Sequence, residues 1–119
     1  MKRSLSRSLL AVLLITLSTS VMAAALTIKV VSVTSFARPG TDARLQIETS
    51  PGADCGITVV YKSGSSRAQG LVPKRANSQG RIVWVWRVGT RTTPGTWPII
   101  VACTLGQQQA KVGTQFTVR

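Results

Sequence analysis

From Leu26 onward the chain alternates apolar and polar residues in short runs, each closed by glycine, proline or a cluster of small polar residues. A period of two puts successive side chains on opposite faces, so each run reads as a strand with one buried face. Leu26-Thr27-Ile28-Lys29-Val30 is the first, and residues 35–41 break it with Pro39-Gly40. Residues 43–48 alternate cleanly up to Ser50-Pro51-Gly52, and 55–62 run into Ser63-Gly64-Ser65-Ser66. Between 67 and 80 the pattern supports one short edge strand at most, around 68–72. Residues 81–88, 97–104 and 111–119 complete the set. No run has the 3.6-residue period of a helix. The pattern predicts an all-β sandwich of about seven antiparallel strands.

Residues 1–25 read differently. Lys2, Arg3 and Arg7 precede a nine-residue apolar run at 9–17, too short for the ~20 residues of a membrane span. Small residues follow in two cleavage frames, Val21-Met22-Ala23 and Ala23-Ala24-Ala25. Together these predict a secretory signal peptide over 1–25 and one domain over 26–119; a retained anchor helix is the competing reading. No cysteine directly follows the apolar run, so lipid attachment is not expected. The expected location is outside the cytoplasm, periplasmic, envelope-bound or extracellular, with no transmembrane segment in the mature chain.

Charge sharpens this picture. The 119 residues hold fifteen Lys+Arg, three acids and no histidine, for a net charge of +12. Three of those bases lie in the leader, which leaves +9 on 26–119. Residues 26–54 balance to zero, with Lys29, Arg38 and Arg44 against Asp42, Glu48 and Asp54. Residues 55–119 hold nine bases and no acid.

Export implies an oxidising compartment, where two cysteines in a small domain pair. If Cys55 faces Cys103 on adjacent antiparallel strands, then Ile57 faces Val101, Val59 faces Ile99 and Tyr61 faces Trp97. Every pair is apolar or aromatic, as a register set by a buried face requires. The bridge closes a span of 48 residues, for which loop entropy gives about 4 kcal/mol. A redox role lacks the C-x-x-C spacing. Trp84 and Trp86 share a strand face with Ile82 and Val88, the mark of a core face, although a pair of exposed rings that stack on sugars or bases has the same spacing. The opposite face, Arg81-Val83-Val85-Arg87, reads as solvent-facing.

Residues 53–118 resemble an immunoglobulin-like domain of bacterial secreted and surface proteins. The resemblance rests on the stretches 55–61, Ser63-Gly64, Gly70-Leu71, 77–80, 80–89, 93–99, Val101-Ala102-Cys103 and Phe116-Thr117-Val118. It implies an immunoglobulin-like β-sandwich serving as a spacer, adhesion module or binding platform, a fold that hosts many roles. Two departures stand out: the domain is expected to stand alone, with no second domain to display, and it is unusually basic. The antibody-type bridge joins two sheets, whereas this spacing suggests neighbours within one.

Catalysis needs tuned acids, bases or activated nucleophiles. Without histidine there is no Ser-His or Cys-His pair, and Lys62-Ser63 sits in ordinary turn chemistry rather than a Ser-Lys dyad. A glycosidase-type pair among Asp42, Glu48 and Asp54 competes with the plainer reading that so few acids cap turns or face basic neighbours. No phosphate-cradling glycine motif, metal-ligand spacing or calcium loop is present, so neither cofactor nor metal is expected. The expected function is a non-enzymatic binding or adhesion module. Lys62, Arg67, Lys74 and Arg75 cluster in the loop-rich stretch, so several of them are expected to share one rim, and the four are the candidates for contact with an anionic envelope polymer or glycan. A plain solvated face is the bland alternative. No reading helix or RNA-module signature supports sequence-specific nucleic-acid binding. The rival function is an accessory subunit of a surface assembly that lends an edge strand to a protein partner.

Overall fold

A computed structural model describes residues 25–119. Apart from Ala25, the expected leader and its cleavage frames lie outside the described residues. Among those residues there is no helix, and none long and apolar enough to cross a membrane. The described residues form nine strands: β1 (Lys29–Val33), β2 (Phe36–Ala37), β3 (Asp42–Glu48), β4 (Asp54–Tyr61), β5 (Gly64–Ser65), β6 (Lys74–Arg75), β7 (Arg81–Arg87), β8 (Gly95–Leu105) and β9 (Gln108–Val118).

They make two packed sheets. One has the order β1-β3-β7; the other runs β2-β9-β8-β4-β5, with β6 pairing the start of β4. The all-β sandwich is therefore as the alternation predicts, with nine strands rather than seven. Nor are the strands wholly antiparallel, since β2 pairs β9 in parallel through Phe36–Thr117 and Ala37–Val118. The expected strand at 68–72 does not form. Gly70 adopts φ +97 there, and the neighbouring pairing falls to Lys74–Arg75. The first strand also begins later than the alternation suggests, at Lys29, and a bulge between Val30 and Ser32 shifts its register on β3.

The core follows from the period of two. Ala43, Leu45 and Ile47 of β3 lie beside Trp86, Trp84 and Ile82 of β7, and Ala43 leaves room for the Trp86 ring next to it. Opposite them the second sheet buries Cys55, Val59, Ile99, Val101, Cys103, Phe116 and Val118. Trp84 and Trp86 are 0% and 1% exposed, which settles them as core. Each indole N–H still finds a partner, as a buried donor must: Trp84 Nε1 donates to the Val72 carbonyl at 2.8 Å and Trp86 Nε1 to the Tyr61 hydroxyl at 3.3 Å.

Cys55 and Cys103 form a disulfide between directly paired positions of β4 and β8. Ile57 pairs Val101 and Val59 pairs Ile99, as the register requires. Tyr61 and Trp97 lie beyond the last paired rung, yet their rings meet edge to face at 6.2 Å.

Segment 66–73 covers a flank of the sandwich. Gly70 lies so close to the Val85 carbonyl that a Cβ would overlap it, Trp84 captures the Val72 carbonyl, and Lys74 Nζ donates to the Val83 carbonyl at 2.8 Å. The outer edge of β7 is thereby closed by a passing chain rather than by a strand.

Candidate functional site

Each of the three acids stands opposite an arginine in a strand ladder: Asp42 by Arg87, Glu48 by Arg81, Asp54 by Arg75. The nearest N···O distances are 3.5, 3.7 and 2.9 Å. Asp54 hydrogen-bonds Arg75 and, with its charge, raises the pKa of that exposed guanidinium further. The carboxylates are dispersed over the two sheets, each held by a cation, rather than gathered as a general acid and base. Among the described residues no group of three or more acidic or sulfur ligands comes together to hold a metal.

Cations gather at the end of the sandwich where β4 finishes. Lys62 and Ser63 form the two-residue turn between the paired residues Tyr61 and Gly64. Arg67 follows, fixed by Ser66, whose N–H donates to the Val59 carbonyl at 2.7 Å and whose hydroxyl accepts from the Ala68 N–H at 3.1 Å. Arg91 rides on a turn closed by the Thr92 N–H to the Gly89 carbonyl at 3.1 Å. Trp97 Nε1, donating to the Thr93 carbonyl at 2.9 Å, pins the far side of that turn. Arg87, at the end of β7, completes the set.

Between these elements lie two adjoining hollows of about 530 and 540 Å3 that share Tyr61, Ser63, Gly89 and Thr92. Lys62 and Arg91 line one; Arg67 and Arg87 line the other. Tyr61 forms their common wall. Burial raises its phenol pKa above the ordinary 10.0, an effect that the Trp86 hydrogen bond partly offsets. At neutral pH the phenol is therefore protonated and adds no negative charge to the site.

The same end carries Arg38 and Arg119. The Gly40 N–H donates to the Val88 carbonyl at 2.7 Å, and Arg119 N–H donates to the Ala37 carbonyl at 3.0 Å with its guanidinium 4.2 Å above the Phe36 ring. Among the described residues, six cationic side chains thus face one acidic side chain, Asp42, at this end. The opposite end has Lys29, Lys74, Arg75 and Arg81 with Glu48 and Asp54. Arg44 and Lys111 lie on the two outer sheet faces.

Of Lys62, Arg67, Lys74 and Arg75, several of which were expected on one rim, two meet there and two do not. Lys62 and Arg67 lie at the crowded end, whereas Lys74 and Arg75 pair Cys55 and Asp54 at the other end of β4, about 23 Å away at the usual strand rise. Lys74 and Arg75 are also engaged, by the Val83 carbonyl and by Asp54. Arg87 and Arg91 were not singled out by sequence; Arg87 reads there only as solvent-facing, and Arg91 as one base of the run.

No family model and no curated protein sequence matches the chain. Solved structures do. A conjugative transposon lipoprotein from Bacteroides eggerthii DSM 20697 superposes with a TM-score of 0.51 at 9% identity, over 79% of this chain and 98% of that one. The human F-spondin reeler domain (fragment 1) gives 0.51 at 12% identity, over 79% and 89%. At such identities the likeness is one of fold, a β-sandwich in each case.

Proposed function

We propose that the chain is an extracytoplasmic, non-enzymatic binding module of immunoglobulin-like architecture that holds an anionic envelope polymer or glycan at the Tyr61 end of the sandwich. The observation that carries this reading is the pair of hollows lined by Lys62, Arg67, Arg87 and Arg91 with one carboxylate nearby. Arginine forks match carboxylate and phosphate geometry bidentately, and Ser63 and Thr92 between them offer hydroxyls to a polyhydroxylated chain. The disulfide supports an oxidising compartment, and the sandwich shared with a lipoprotein agrees with a place outside the cytoplasm. The dispersed, arginine-paired acids supply no general acid and base, which supports the non-enzymatic part.

The test is binding of residues 26–119 to the producing cell's envelope fraction across a salt series. Binding that collapses between about 50 and 200 mM salt is expected of polyanion contact by counterion release. Salt-independent binding would replace this reading with an apolar or strand-mediated contact.

A further inference from the structure

Among the described residues, the sandwich protects three of its strand edges and leaves most of the fourth without a hydrogen-bonded strand. The β7 edge lies under segment 66–73, with Lys74 on the Val83 carbonyl and Gly70 against that of Val85. The β4 edge is met at its two ends by β6 and β5, and the β1 edge is kinked by a bulge. On β9, β2 pairs only Thr117 and Val118. Residues 108–115 have β8 on one side and no hydrogen-bonded strand on the other among the described residues, although β1 passes near β9.

Which groups face outward follows from the ladder. Thr117 N–H donates to the Ser35 carbonyl and Arg119 N–H to that of Ala37, so the odd-numbered residues turn their backbone groups away from β8. Gln109, Lys111, Gly113 and Gln115 therefore present four N–H and four C=O groups in one line. Such an edge is a template for another strand, and folded proteins normally blunt it. Here the only charge along it is Lys111.

We propose that the β9 edge accepts an extended, acidic segment of a protein partner as an added strand, pairing along residues 109–115 with an acidic side chain beside Lys111. Charge selects this occupant over a second copy of the chain. No acid occurs from Cys55 to Arg119, the domain carries +9, and β9 against β9 would bring cation toward cation. Backbone pairing gives the added strand its affinity, and the side chain at Lys111 its selectivity.

The probe is a synthetic octapeptide of alternating Glu and Val, with an alternating Lys and Val peptide as control, added to the 26–119 domain with amide hydrogen exchange as readout. Protection confined to Gln109, Lys111, Gly113 and Gln115 by the Glu peptide, and none by the Lys peptide, is expected. Lys111→Glu, an exposed change that leaves the fold intact, should weaken that binding about three- to fivefold, the size of one exposed pair. Gln109→Pro, which removes an outward N–H at an edge position that tolerates proline, should weaken it independently of charge. Protection around Lys62, Arg67 and Arg91 instead, equal binding of both peptides, no protection, or β9 protection through self-association at high concentration would each overturn the proposal. Because the readout is residue-specific, failure here is separate from loss of salt-sensitive envelope binding at the Tyr61 end.

Discussion

Trp86 of one sheet donates its indole N–H to the hydroxyl of Tyr61 in the other, at 3.3 Å, joining the layers next to the basic end. Phe116 completes the cluster, edge-on to Trp86 at 5.7 Å and to Tyr61 at 6.1 Å. Tyr61 thus serves the core and the hollows together, and its titration reports on both. It is the only tyrosine in the chain. Its phenolate absorbance should appear above pH 10.0 in the folded domain and shift down on unfolding. The raised pKa favours the fold below pH 10.0, and that contribution is lost as pH rises through the folded value. Tyr61→Phe leaves the buried Trp86 N–H without its acceptor and should cost about 1–3 kcal/mol, read from urea denaturation.

The Cys55–Cys103 bridge links neighbouring strands while spanning 48 residues of chain. Replacing both cysteines with alanine should lower stability by about 2–4 kcal/mol. In protein freshly isolated from an oxidising compartment, the thiols should be inaccessible to a probe until reduction, and reduction should raise the intact mass by two hydrogens.

Gly70 and Gly52 both have positive φ, +97 and +81, but differ in surroundings. A Cβ at Gly70 would run into the Val85 carbonyl, whereas one at Gly52 would meet no atom within 4 Å. Gly52→Ala should therefore cost only its backbone strain, about 1–2 kcal/mol. Gly70→Ala adds a backbone clash and should cost clearly more, because segment 66–73 must lift from β7. The difference between the two midpoints in denaturant measures how firmly that segment is seated.

The sequence reveals most where a buried face dictates it. The alternation of 43–48 and 81–87 places Leu45, Trp84 and Trp86 inside and Arg81, Val83, Val85 and Arg87 on the outer face. The cysteine register foretells Ile57–Val101 and Val59–Ile99 because a one-residue slip would turn that face outward. Pairing that owes nothing to a buried face is silent: β2 is two residues in a stretch that reads as a break, and β6 is two exposed cations. At 68–72 the composition suits a strand, but the carbonyl of Val72 is taken by the Trp84 side chain and Gly70 turns the backbone away. The candidate basic site is half legible. Lys62 and Arg67 lie together as their spacing suggests, while 66–73 then carries the chain the length of β4 before Lys74. Arg87 and Arg91 arrive from a different sheet and its following turn, a closeness that linear charge patterning does not encode.

A matched pair of charge reversals separates binding by charge at one end of the sandwich from attachment by net charge. Lys62→Glu with Arg91→Glu alters the Tyr61 end; Lys29→Glu with Lys74→Glu makes the same change in net charge at the other. Binding of both to the envelope fraction is measured at about 50 mM salt, where polyanion contact is strongest. The first pair should abolish binding and the second should leave most of it. Equal losses in the two would contradict binding at one end, since they would mean that net charge alone, wherever it sits, governs attachment.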